Sequence, residues 1–220
     1  MLRQIFSALT SNNDLDRAFD EFDGMLESAD WMFRHANQVL RREVPADEVR
    51  EAIYQRDQSI NKALRSIRRK IVRHLSVQSG ADVPAALALM SVAKDAERIG
   101  DYCKNVFEVG RFYRDEFHVP RYHEPLEEIR DEVEQLFGAV RSAFKSTKPS
   151  EAHRVIERAD IIRRRCDDII EQLLRDEMSM ETHEAVAYSL LARHYKRVAA
   201  HLANICTAIT SGIEDLDFRP

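Results

Sequence analysis

Turn residues are scarce. Six glycines and six prolines in 220 residues leave little room for the many tight turns of an all-β chain. That excludes a fold of short strands and points to a few long helices. A basic excess is missing too: the formal net charge is −5, against a generic nucleic-acid binder. No run approaches the ~20 apolar residues of a membrane-spanning helix. Met1 to Leu9 is interrupted by Arg3 and Gln4 and lacks the apolar centre of a secretory signal. Leu2, Ile5, Phe6 and Leu9 offer a small apolar edge, expected to pack on the first helices rather than on a membrane surface. The chain is expected to be soluble and cytoplasmic.

Reactive motifs are also lacking. Cys103, Cys166 and Cys206 are too scattered for a zinc knuckle or a disulfide framework. Each falls in a helical stretch, so small buried thiols in a reducing cytoplasm are expected. There is no Glu-x-x-His, which removes the di-iron reading of a helical bundle. His-Glu-x-x-His, a phosphate-cradling glycine loop and a nucleophile elbow are equally missing. No catalytic residues are assigned, and the chain is expected not to be an enzyme.

What is present is amphipathic periodicity. Leu15, Phe19, Phe22, Leu26, Ala29, Phe33 and Ala36 recur at threes and fours, the stripe of a first helix. It runs from about Asn13 to Arg42, with Asn12 or Asn13 as cap and Pro45 ending it. Ile53, Ile60, Leu64, Ile67, Ile71 and Leu75 mark a second helix, from near Asp47 to about Val77. After the turn Ser79 to Pro84, where Asp82 is a cap candidate, a third runs to near Phe117. Phe117 to Pro125 carries two prolines close together and is the expected boundary. Leu126, Ile129, Val133, Leu136, Val140 and Phe144 mark a fourth helix; Ile156, Ile162, Ile169, Ile170 and Leu173 a fifth. A sixth follows a weak break at Met178 to Thr182 and ends near Gly212, with Glu214 to Pro220 frayed. The expectation is all-α: two tandem antiparallel three-helix bundles, residues 1–118 and 119–220.

The third helix carries Glu97-Arg98-Ile99-Gly100-Asp101, then Asn105. Helical spacing puts Glu97, Asp101, Asn105 and Glu108 on one stripe, while Ile99, Tyr102, Val106 and Val109 look like core. A weaker copy lies 99 residues on: Arg197, Val198, Ala199 and Asn204 match Arg98, Ile99, Gly100 and Asn105, but Lys196 and Ala200 replace the two acids. Two carboxylates one turn apart can share a hard cation, Mg²⁺, Mn²⁺ or Fe. They can equally be solvated acids beside Arg98, Lys94 or Lys104. Asn105, and Asp57 with Asn61 on the second helix, are weaker candidates for the same site. His194 and His201 share a face, though histidines so placed more often pack than ligate. Arg65, Arg69 and Arg73 align with Arg68, Lys70 and His74 in a basic stretch, echoed by Arg163, Arg164 and Arg165; a solvated face is the commoner meaning, an acidic or lipid partner the other.

Glu-Arg-Ile-Gly-Asp followed by Asn, near the end of a long helix and echoed in a second half, resembles the PhoU family. That resemblance implies paired three-helix bundles, divalent metal at Glu97 and Asp101, and regulation of phosphate uptake and starvation signalling. The implied partners are a phosphate transporter subunit and a sensor histidine kinase, with membrane contact only peripheral, no nucleic acid, and a homodimer left open. The other implied role is as accessory to a sodium- or proton-coupled phosphate permease without a kinase.

Overall fold

The computed structural model describes residues 14–77, 83–175 and 180–211. The N-terminal edge Leu2 to Leu9, the caps Asn12, Asn13 and Asp82, and the end at Gly212 lie outside them. Among the described residues six helices follow in order: α1 Asp14–Leu40, α2 Ala46–Val77, α3 Val83–Phe112, α4 Pro120–Ser146, α5 Pro149–Arg175 and α6 Thr182–Thr210. No strand occurs among the described residues. At up to 32 residues, each spans roughly 40–48 Å at ~1.5 Å per residue.

Two ends differ from expectation. α3 stops at Phe112 rather than Phe117, and α4 starts at Pro120, with Pro125 inside it. Proline at the first helical position gives up an N–H that has no partner there anyway, and its fixed φ suits the helix. The link between α3 and α4 is held by rings: Phe117 stacks on Tyr113 at 4.7 Å and packs on Tyr188 of α6 at 4.8 Å. Its aromatic side chain thus seals the seam instead of extending α3. α1 ends where Arg42 turns to φ 60°, and α4 ends where Thr147, at φ 50°, donates its N–H to the Ala143 carbonyl at 2.9 Å.

α1, α2 and α3 pack on one another, as do α4, α5 and α6; α3 meets α6 and α1 meets α4 across the middle. α2 and α5 therefore flank a central set of four. The core is continuous between the halves. Phe22 of α1 packs on Phe144 of α4 at 4.8 Å, and Phe33 meets Phe137 and Tyr195 at 5.6 Å each. Each such ring, fully buried, contributes ~1.5–3 kcal/mol. Gly100 sets the approach of α2 to α3: a Cβ there would lie 2.9 Å from Ile60 Cδ1. That closeness presses the face of α2 bearing Asp57 against the acidic stripe of α3.

Candidate functional site at the α2–α3 face

The structure brings Asp57 to Asp101, through Lys104. The Lys104 Nζ lies 3.1 Å from Asp57 Oδ1 and 3.3 Å from Asp101 Oδ1. Arg98 covers the outer side, 3.6 Å from Glu97 Oε2 and 3.3 Å from Asp101 Oδ2. All three acids are partly buried. Burial raises the Glu97 carboxyl above its ordinary value; the charge of Asp101 adds to this, Arg98 counters it, Asp57 adds again and Arg68 counters. Lys104 moves upward: burial alone would lower it, but hydrogen bonds and charge from Asp57 and Asp101 outweigh that.

Two weaker candidates are engaged differently. Asn61 donates its side-chain N–H to the backbone carbonyl of Asp57 at 3.1 Å. Asn105 lines a cleft further along α3. Glu108, next on the stripe, accepts from Tyr54 O–H at 3.1 Å. Among the described residues, no three His, Cys, Asp or Glu side chains converge closely enough to hold a metal ion as they stand. The oxygen donors are of the type a hard cation takes, and carboxylates from two helices here meet one positive charge, the Lys104 ammonium.

The histidines sit elsewhere, on the seam between α3 and α6. His201 places Nδ1 2.6 Å from Asp95 Oδ1, and Asn204 donates to the same oxygen at 3.2 Å. Arg197 reaches His201 Nε2 at 3.2 Å and donates to the Tyr102 hydroxyl at 3.2 Å. Carboxylate only accepts and guanidinium only donates, so the imidazole carries its proton on Nδ1. Tyr102 lies between both histidines, 5.8 Å from His201 and 5.9 Å from His194. His194 Nδ1 is buried without a hydrogen-bond partner, and burial, aided by Arg193, lowers its pKa to about 4. Beyond His194 opens a cleft of about 820 Å³ between the end of α3 and the start of α6, walled by Val109, Phe112, Val186 and Leu190.

Sequence reasoning missed Asp95, and it named Lys104 only as a cation beside the acids, a place Lys104 does take with Asp101. Asp95 had a signal, since it interrupts the apolar face of α3 between Val92 and Ile99 and a buried acid needs a partner. The reach of Lys104 to Asp57 had none, because it depends on which face of α2 arrives. The basic stretch is partly spent on ion pairs: Arg73 with Asp14, Lys70 with Glu21, Arg163 with Asp160, and Arg165 with Glu128 and Glu132. Arg65, Arg68 and Arg69 are exposed. The three cysteines are buried and free, and burial raises the Cys166 and Cys206 thiols to about 12. Among the described residues, no helix is long and apolar enough to cross a membrane.

A family model, the PhoU domain, matches this chain twice, over residues 22–109 and 126–209. Among solved structures, PhoU from Pseudomonas aeruginosa is 19% identical with a TM-score of 0.80, over 89% of this chain and 95% of that one. The phosphate transport system regulatory protein PhoU from Streptococcus pneumoniae is 21% identical with a TM-score of 0.73, over 89% and 92%. At these identities the likeness speaks for the fold. Among curated proteins, none matches.

Proposed function

Because the chain belongs to the PhoU family of phosphate-uptake regulators, we propose that it works in the cytoplasm as a non-enzymatic regulator of phosphate transport and of phosphate-starvation signalling. It acts by contact, presenting long helical faces to a phosphate transporter subunit and to a sensor histidine kinase. The observation that carries this reading is the double family match across the six helices. The exposed Arg65, Arg68 and Arg69 on α2 offer a basic face to an acidic partner surface. Glu97 and Asp101, with Asp57 opposite, would hold a divalent cation, Mg²⁺, Mn²⁺ or Fe. Such a cation supplies compact positive charge that ties carboxylates on two helices. The protein's own part is to crowd those acids, by burial and by the close α2–α3 approach at Gly100.

The test is deletion of the gene in its host, read out by labelled phosphate uptake and by a phosphate-starvation reporter at high phosphate. Loss of control over both is expected. A change in uptake with a silent reporter would favour a permease accessory without a kinase. No change in either would overturn the regulatory reading.

A further inference from the structure

We propose that Lys104 is an internal competitor of the divalent cation, so that metal enters the α2–α3 face only by displacing its ammonium. This rests on the metal reading above. Its Nζ is within ion-pair reach of Asp57 on one helix and Asp101 on the next. It thus holds the position from which a single cation can serve both acids. A lysine suits this use, being a point charge on a flexible four-carbon stem that can swing to water without moving the backbone. Arg98 also joins two of the acids, Glu97 and Asp101, but both lie on its own helix, so it does not tie α2 to α3.

The second half supports the pairing of Lys104 with the acids. Ninety-nine residues on, Asp57, Asp101 and Lys104 correspond to Ile156, Ala200 and Ala203. Ammonium and acids are present together or absent together, as expected if the lysine is there to answer the acids. Two consequences follow from the competition. Metal occupancy depends on the difference between a divalent ion and a tethered ammonium for the same oxygens, which weakens the site and makes it responsive to metal concentration. Metal entry also releases a cation onto the α3 surface beside Arg98, changing the charge a partner meets.

The test compares wild type, Lys104→Met, Lys104→Arg and the Glu97→Gln/Asp101→Asn pair by calorimetric titration with Mn²⁺, with metal content after dialysis as a check. Lys104→Gln replaces Lys104→Met if the latter does not fold. Removing the ammonium is expected to tighten Mn²⁺ binding by roughly tenfold or more, since one nearby positive charge is lost. Lys104→Arg should stay as weak as wild type, and the double acid variant should bind none. Equal Mn²⁺ affinity in wild type and Lys104→Met would overturn the competition and leave the metal site standing. Absence of Mn²⁺ binding in all variants would overturn both.

Discussion

The two halves share a scaffold and differ in where they put charge. Glu97 and Arg68 on α3 and α2 correspond, 99 residues on, to Lys196 and Asp167 on α6 and α5. Arg68 only weakly counters the upward shift that burial gives the Glu97 carboxyl, whereas Lys196 ion-pairs with Asp167, so the attraction between the two helices has its polarity reversed and is closer in the second half. The acids of the first half are therefore not simply lost from the second; the position is reused as a structural pair. The seam teaches the same lesson from inside. Asp95 meets His201, and their counterparts His194 and Tyr102 meet in turn, as a two-fold relation between α3 and α6 requires. One end of that seam is a satisfied hydrogen-bond network, the other a histidine facing an apolar cleft.

The sharpest way to break the comparison is to truncate both counterparts. Asp95→Ala leaves His201 and Asn204 without their acceptor and should cost ~2–3 kcal/mol in urea unfolding. His194→Ala leaves nothing unpaired, because its Nδ1 has no partner, and should stay within ~1 kcal/mol of wild type. Equal losses would show that the two ends of the seam are equivalent after all.

The outer seam gives a smaller effect with a pH signature. Asp23 on α1 pairs with Arg141 at 2.8 Å and Lys145 at 3.0 Å on α4, and the Arg141 hydrogen bond lowers its carboxyl despite burial. A depressed value in the folded state stabilises above the unfolded value of ~3.9 and is lost as pH falls through the folded one. Asp23→Asn should cost ~1 kcal/mol or less at pH 7, since the pair is partly solvated. The difference should vanish at the acid end of a pH series of thermal melts. A pH-independent difference would refute the electrostatic account.

The smallest effect tests the reversed pair. Lys196→Glu sets two acids together and should cost ~0.5–1 kcal/mol, with Asp167 more than half exposed. Adding Asp167→Arg restores the polarity of the first half and should recover that loss in a double-mutant cycle. Failure to recover would mean the pair is not interchangeable in sign.

Element existence and type were legible because the apolar stripes of α1, α2 and α4 are long and uninterrupted. The ends near Phe117 and Pro120 were not, since Phe117 is apolar in either role and only the arrival of Tyr188 decides it. At the site, the stripe Glu97–Asp101 could be read from spacing within one helix. The meeting with Asp57, through Lys104, depends on the register of α2 against α3, which Gly100 and Ile60 fix by contact. Tyr102 was read as core and is partly exposed, because it lies on the seam with His194 and His201 rather than inside a bundle.

The continuous core has a consequence for the history of the chain. A unit cut free at residues 113–119 would turn Phe22, Phe33 and their neighbours, now covered by α4 and α6, toward water. Such a half would need a second copy of itself to cover that surface. With both copies in one chain the partnership is permanent, and each can differ from the other. Asp95 stands on one side and His194 on the other, an asymmetry that two identical chains cannot encode.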